Sequence, residues 1–169
     1  MNYNNTPIDW SKVNDIVLSA KKIVLTTHEN PDGDGLGSEV ALYHHLMEIG
    51  KDVKIINCSP TPTMYDFINK SNCIETYDEN SHSEWINNAD LTIVFDVGDF
   101  NRTRSLKSAI EKNSIPVMNI DHHPHPKNNA FNYNIVDTTS AATGCMVRSY
   151  LKAARKQPLT KEMLSLIHI

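Results

Sequence analysis

Four short apolar runs, rich in β-branched residues, constrain the architecture that this chain can adopt. They cover residues 22–27, 53–57, 91–95 and 116–120. Continuous apolar runs of this length are typical of strands buried on both faces of a parallel sheet. Between them, apolar residues recur at helical spacing, as at Leu36, Val40 and Leu46. The alternation predicts an α/β fold with a doubly wound, mostly parallel sheet and helices on both of its faces.

The other segments complete the predicted alternation. We predict helices over residues 9–20, 36–49, 62–69, 103–112 and 140–156, and a last helix that begins near Thr160. Residues 133–136 are predicted to be extended. The polar stretch 78–84 is predicted to be mostly loop, with a short helix around Trp85.

Composition limits the environment and the partners. A net charge of −4 disfavours broad electrostatic capture of nucleic acid, although a short phosphorylated ligand stays compatible with it. The sequence contains neither a long apolar run nor an apolar leader, so we expect a cytoplasmic protein that does not enter a membrane. Its three cysteines form no CxxC pair, and we expect free thiols. A homodimer is one assembly left open by the sequence.

Three of the predicted strands are followed by acidic residues or histidines. His28, Asp32 and Asp34 follow the first strand in a glycine-rich loop, and Asp96 follows the third. Asp121, His122 and His123 follow the fourth. The carboxyl ends of parallel strands lie at one edge of the sheet, where ligands bind. Any one of these aspartates could instead be a helix cap, but their convergence predicts a single site.

Charge repulsion indicates what such a site needs. Two carboxylates about 4 Å apart repel by roughly 4 kcal/mol at an effective dielectric constant of 20, so the cluster requires cations, protons or basic partners. Carboxylates mixed with imidazoles and without thiolates favour Mn²⁺, with Mg²⁺ as the alternative. The candidate ligands are too many for one ion, and two ions bridged by a carboxylate are the usual apparatus for attack on phosphorus.

On this interpretation each residue has a role. Asp96 bridges the two ions, His28 and Asp32 hold one of them, and Asp34 and His122 hold the other. Asp121 supports its neighbours from behind by orienting an imidazole. His123 donates to a phosphate oxygen or protonates a leaving group, which makes Asp96 and His123 the candidate catalytic residues.

The same residues carry a family resemblance. His28-x-x-x-Asp32-x-Asp34 within Pro-Asp-Gly-Asp, Asp96 after an apolar strand, and Asp121-His122-His123 after another resemble the first three motifs of the DHH phosphoesterase superfamily. Within it, the chain is similar to the enzymes that combine oligoribonuclease and 3′-phosphoadenosine 5′-phosphate phosphatase activities. The resemblance implies a manganese-dependent phosphoesterase that acts on short RNA or nucleotides. It implies the same metal ligands, His28, Asp32, Asp34, Asp96 and His122, and a phosphate-facing His123.

Other residues near these motifs have two interpretations. Arg102 is either a contact to substrate phosphate or a member of a structural ion pair. His125, between two prolines, is interpreted as a loop residue. Ser140 and Thr143 are interpreted as caps of the long helix, with an anion contact as the alternative.

The superfamily resemblance also sets an expectation for the end of the chain. Relatives carry a fourth motif, Asp-Thr-Gly, just after the position that Met163 occupies, and this sequence lacks it. We therefore expect an incomplete DHH catalytic domain at 1–163, a non-native or truncated end at 164–169, and a missing C-terminal substrate-binding domain. The alternatives are a manganese-dependent inorganic pyrophosphatase, a cyclic-dinucleotide phosphodiesterase, and, from another class, an inactive metal- or nucleotide-binding fragment.

Overall fold

The computed structural model describes residues 7–125 and 131–167, and its fold is the predicted α/β class. Within these ranges, six strands form one wholly parallel sheet: β1 (Lys22–Thr26), β2 (Asp52–Asn57), β3 (Ile74–Thr76), β4 (Leu91–Phe95), β5 (Val117–Asp121) and β6 (Tyr133–Val136). Their spatial order is β3-β2-β1-β4-β5-β6. The prediction of a parallel sheet is confirmed.

Helices cover both faces of the sheet, as a doubly wound fold requires. They are α1 (Trp10–Ser19), α2 (Gly33–Glu48), α3 (Glu79–Ile86), α4 (Ser105–Lys112), α5 (Thr143–Ala154) and α6 (Lys161–Ile167). Successive residues of β1 point to opposite faces. Ile23 and Leu25 pack with apolar residues of α1, α2 and α5, whereas Val24 packs with residues of α3 and α4.

The strand order reverses at β1, and this places the predicted site. β1 pairs with β2 on one side and with β4 on the other, so the two halves of the sheet diverge between β1 and β4. A parallel sheet leaves a crevice outside the carboxyl ends of its strands at such a switch point. His28 follows β1 and Asp96 follows β4, so both residues lie at the mouth of that crevice.

Two local predictions are wrong. Residues 62–69 form only a 3₁₀ turn, Thr63–Tyr65, because Met64 and Phe67 stay exposed and the burial of Ile68 alone does not support a helix. The stretch 78–84 is mainly helical, since Asp78 accepts a hydrogen bond from the Ser81 amide and caps α3. The short edge strand β3 was not predicted, and α2 begins three residues earlier than its apolar spacing indicated.

The last described element is α6, which agrees with the helix predicted from Thr160. Its Met163 and Ile167 are buried, and Ile167 joins the core beside α2 and α5. Residues 168 and 169 of the segment predicted to be non-native lie outside the described residues. Among the helices described here, we find none with the length and apolar character needed to cross a membrane.

Candidate metal centre

The loop after β1 is built around tight backbone contacts. Asp32 caps α2, because its Oδ1 accepts from the amides of Asp34 at 3.0 Å and Gly35 at 3.2 Å. A Cβ atom on Gly35 would lie 2.3 Å from Thr27 Oγ1, so only glycine fits at this crossing. The helix cap and the candidate metal ligand are therefore one side chain, and the two interpretations of Asp32 are compatible.

In both His28 and His122, Nε2 faces the acidic cluster and Nδ1 faces a backbone carbonyl. His28 Nδ1 is 2.7 Å from the Glu29 carbonyl oxygen, and His122 Nδ1 is 3.3 Å from that of Ser140. These contacts suit an Nδ1–H donor in each ring and leave Nε2 with its lone pair directed at the carboxylates. Neutral Nε2 atoms held in this way are suitable metal ligands.

Asp96 lies between the two imidazoles. Its Oδ2 is 3.7 Å from His28 Nε2, and its Oδ1 is 3.6 Å from His122 Nε2. The residue is buried and has a left-handed backbone conformation, with φ of 59°, which is strained for a side chain other than glycine. Oδ1 also accepts a hydrogen bond from Thr143 Oγ1 at 3.1 Å. A strained, buried carboxylate is thus held where both halves of the cluster meet.

The spacing of the polar atoms fits a bound cation. His28 Nε2 is 4.0 Å from Asp32 Oδ1, and His122 Nε2 is 3.7 Å from Asp34 Oδ2. Such distances are too long for hydrogen bonds. With metal–ligand bonds of about 2.1 Å, two ligands of one ion lie roughly 3.0 to 4.2 Å apart, from adjacent to opposite positions. Two groups bring one possible ligand atom of each residue within 4.8 Å of the others, His28 with Asp32 and Asp96, and Asp96 with His122 and His123.

Asp34 serves a second purpose that the sequence did not indicate. Its two oxygens accept hydrogen bonds from the amides of Thr143 at 2.9 Å and Gly144 at 2.8 Å, at the start of α5. The prediction that Ser140 or Thr143 caps this helix is wrong, since the N-cap residue is Ala142 and has no capping side chain. Asp34 supplies the acceptor from α2 and fixes α5 beside the cluster.

The charges of the cluster change its proton affinity. Burial raises the pKa of Asp34, and the nearby Asp96 charge adds to this effect against the two amide hydrogen bonds. Burial disfavours a charged His28, but Asp96 and the Glu29 carbonyl outweigh it, so the pKa of His28 is raised. Without a cation, Asp34 and His28 therefore retain their protons more strongly than free side chains would.

Asp121 is wholly buried behind the cluster. Its Oδ1 accepts from the amide of His123 at 3.0 Å and lies 2.8 Å from His123 Nδ1, and its Oδ2 lies 2.7 Å from His125 Nε2. Burial raises the pKa of Asp121, but the hydrogen bonds from His125 and His123 outweigh it and hold that pKa below its ordinary value. His125 is therefore a partner of Asp121 as well as a loop residue, and its side chain is only 6% exposed.

The two arginines after β4 differ in their contacts. Arg102 is exposed, and in the described ranges no ion pair joins it to a carboxylate, although its charge lies close enough to influence the pKa of His28. Arg104 instead forms a double hydrogen bond with the Glu29 carboxylate. The ion pair considered for Arg102 belongs to Arg104, a residue that the sequence analysis did not single out.

Glu39 was not predicted from the sequence to be a functional residue, because a glutamate within a predicted helix is usually exposed. It is fully buried, and Asn57 Nδ2 donates to its Oε1 at 2.6 Å. Asn57 Oδ1 in turn accepts from the Thr27 amide at 3.1 Å, next to His28. Its place among the apolar residues of one helix face is the signal that could have indicated burial.

Fold and site together define a parallel α/β protein with a cluster of aspartates and histidines, suited to metal ions, at its topological switch point. Residues 22–169 match the family model described as DHH family, N-terminal domain. The chain belongs to the DHH family.

One curated relative and two solved structures are similar to this chain. The chain is 30% identical over 122 residues to the bifunctional oligoribonuclease and PAP phosphatase NrnA of Mycoplasma genitalium. The aligned residues cover 72% of this chain and 36% of that protein. An exopolyphosphatase-related protein from Bacteroides fragilis has a TM-score of 0.85 and 24% identity over 94% of this chain and 47% of its own. The exonuclease RecJ bound to manganese has a TM-score of 0.59 and 16% identity, over 98% of this chain and 43% of the RecJ chain. This chain thus spans about a third of the curated relative's length and under half of each solved structure.

Proposed function

We propose that this domain is the metal-binding part of a manganese-dependent phosphoesterase that hydrolyses short oligoribonucleotides or 3′-phosphoadenosine 5′-phosphate. The observation that carries the proposal is the position of Asp96 at the switch point of the sheet, where it lies within 3.7 Å of both His28 and His122. Similarity to the NrnA protein supports the substrate class. RecJ, which shares the fold, is described as bound to manganese, and this supports the choice of metal.

The proposal assigns the ligands as the sequence analysis did. His28 and Asp32 would hold one ion, Asp34 and His122 would hold the other, and Asp96 would contribute a ligand to both. When bound, the ions supply Lewis-acid stabilisation of the charge that develops on phosphate oxygens. The strained backbone of Asp96 supports this role, because backbone strain is concentrated at functional sites.

The protein groups around the ions orient and protonate the substrate. His123 is half exposed, and the hydrogen bond from its Nδ1–H to Asp121 leaves Nε2 free for a phosphate or leaving-group oxygen. Because Nδ1 already carries a hydrogen, Nε2 can donate only when the ring is doubly protonated. Exposed Arg102 would contact the substrate phosphate, a role supported by its lack of a carboxylate partner in the described ranges.

A wider role of the chain belongs to the same proposal. Residues 1–163 would be the catalytic domain of a cytoplasmic enzyme whose substrate-binding domain lies elsewhere. Cys58, Cys73 and Cys145 are free, as predicted, which is compatible with a reducing compartment.

The test is hydrolysis by the full-length protein in Mn²⁺. A ribodinucleotide and adenosine 3′,5′-bisphosphate are the proposed substrates, and pyrophosphate and a cyclic dinucleotide represent the alternatives. We expect turnover of at least one of the first two, reduced at least about 1000-fold by Asp96→Asn. Turnover of pyrophosphate alone would transfer the assignment to a pyrophosphatase.

Calorimetric titration with Mn²⁺ separates an enzyme core from an inactive fragment. Two tight sites are expected, and Asp96→Asn should weaken both because it removes the shared ligand. One weak site that this substitution leaves unchanged would instead support the metal-binding fragment.

A further inference from the structure

We propose that His125 is a positioning residue for His123 and acts through the Asp121 carboxylate that lies between them. The inference rests on the proposed function, in which His123 faces the substrate phosphate. It concerns a residue that the family motifs of this chain do not include, since it lies two positions after the Asp-His-His run.

The contacts divide the carboxylate between the two rings. Oδ1 of Asp121 is occupied by the amide and the Nδ1 atom of His123, while Oδ2 is 2.7 Å from His125 Nε2. Asp121 has no exposed surface. Neither oxygen can therefore exchange its protein partner for water, and the orientation of the carboxylate depends on both histidines.

These distances also determine the tautomers. A carboxylate oxygen accepts hydrogen bonds, so at 2.7 Å the His125 Nε2 atom must carry a hydrogen, and His123 Nδ1 must carry one at 2.8 Å. The Asn119 amide nitrogen, 3.3 Å from the same His125 Nε2, is then a neighbour and not a hydrogen-bond partner, because both atoms carry hydrogen. His123 is then kept in the form that leaves Nε2 unprotonated and able to take up the second proton, which the donation to phosphate requires.

The two rings differ in their freedom. The His125 side chain is only 6% exposed, and its ring meets that of Phe131 edge-on at 5.8 Å between centroids. The His123 side chain is 48% exposed. In the hydrogen-bonded series His125–Asp121–His123, the enclosed ring of His125 thus lies at one end and the half-exposed ring of His123 lies at the other. Without the His125 donor, Asp121 Oδ2 would be a buried carboxylate oxygen lacking a partner, and the carboxylate would rotate away from His123.

The competing interpretation is that His125 only packs against Phe131. Two substitutions separate the interpretations. His125→Phe keeps an aromatic ring but removes the donor, and His125→Gln loses the ring but keeps an N–H group close to the position of Nε2. Positioning requires the donor, whereas packing requires the ring.

A second buried histidine provides a matched control. His82 is also buried, its Nε2 lies 3.1 Å from the Glu75 carboxylate, and its ring stacks on Tyr77. His82→Phe therefore removes a histidine–carboxylate hydrogen bond between α3 and the edge strand β3, which four strand positions separate from β5. It controls for the general effect of such a loss on stability.

The experiment measures kcat and KM of the full-length protein in Mn²⁺ together with imidazole ¹⁵N shifts, which report tautomers without substrate. We expect His125→Phe to lower kcat by about 10- to 100-fold with unchanged Mn²⁺ affinity, and His123 to populate both neutral tautomers. His125→Gln should recover most of the kcat and the single tautomer, and His82→Phe should alter neither. Even if no substrate is turned over, the tautomer of His123 tests the inference separately from the proposed function.

Two results would overturn it. One is a single Nδ1–H tautomer of His123 in His125→Phe. The other is loss of this tautomer in His125→Gln, which keeps the donor and loses only the ring, as expected if His125 acts by packing. If His125→Phe does not fold, the ¹⁵N shifts of His125→Gln decide, and loss of the single tautomer there refutes the positioning role.

Discussion

Replacing the buried Glu39 by glutamine should stabilise this protein, and increasingly so as the pH rises. The carboxyl group is enclosed by α2 and β2, and its Oε2 has no hydrogen-bond partner among the described residues. Burial raises the pKa of Glu39 from 4.5 to about 8, although the hydrogen bond from Asn57 opposes the shift. Near neutral pH the folded protein therefore contains Glu39 mainly as the neutral acid.

The magnitude follows from proton linkage. The unfolded chain releases the Glu39 proton near pH 4.5, but the folded chain retains it until about pH 8. Stability from this group is therefore complete below the lower value and is lost as the pH rises toward the higher one. The loss is about 1.4 kcal/mol per pH unit and reaches about 3 kcal/mol at pH 7. Glutamine is neutral at every pH and has nearly the same shape, so it avoids this loss.

The assay is denaturant unfolding of both proteins with a chelator present, at about pH 5.5 and pH 7.5. The advantage of Glu39→Gln should grow by about 3 kcal/mol between these values. Exposed Glu84 offers a matched control, and Glu84→Gln should show no such growth. An advantage of Glu39→Gln that does not change with pH would refute the conclusion that Glu39 is neutral in the folded protein.

Three further predictions concern packing, charge and metal. Gly35→Ala should lower the free energy of unfolding by about 1 to 3 kcal/mol through its clash with Thr27, measured by denaturant unfolding, and Thr27→Ala should recover part of the loss. Arg104→Ala should lower the free energy of unfolding by less than about 1 kcal/mol, because the ion pair of Arg104 with Glu29 is exposed. Arg102→Ala should instead raise the KM for substrate about 10-fold in steady-state assays. Mn²⁺ affinity should rise by up to about 10-fold per pH unit for each proton that the site releases, measured by calorimetry in buffers of different ionisation enthalpy.

Opposite results would contradict each of these arguments. Equal stability of Gly35→Ala and the parent protein would mean that the backbone crossing relaxes freely. A large loss of stability in Arg102→Ala would give that side chain a structural role. An Mn²⁺ affinity that is independent of pH would mean that the site holds no proton in competition with the metal.

Local pattern was sufficient for the main strands and for where the candidate ligands lie. The runs at β1, β4 and β5 are mostly apolar and are buried over nearly their whole length, and the residues that follow them need no distant information to be recognised. Pattern failed at β3 and α3, which are short and polar. A capping hydrogen bond from the Ser81 amide to the Asp78 carboxylate and the burial of His82 and Ile86 define α3, and apolar spacing reports neither effect.

The sequence by itself determined the α/β class and predicted that His28, Asp96 and His122 lie at one edge of the sheet, because strand direction alone brings the carboxyl ends of parallel strands together. Only the tertiary structure decided their partners. Asp34 holds the start of α5 from a position 109 residues earlier, and His125 shares a carboxylate with His123. Such pairings depend on distances across the fold and on side-chain orientation, whereas sequence periodicity records only which residues face the core.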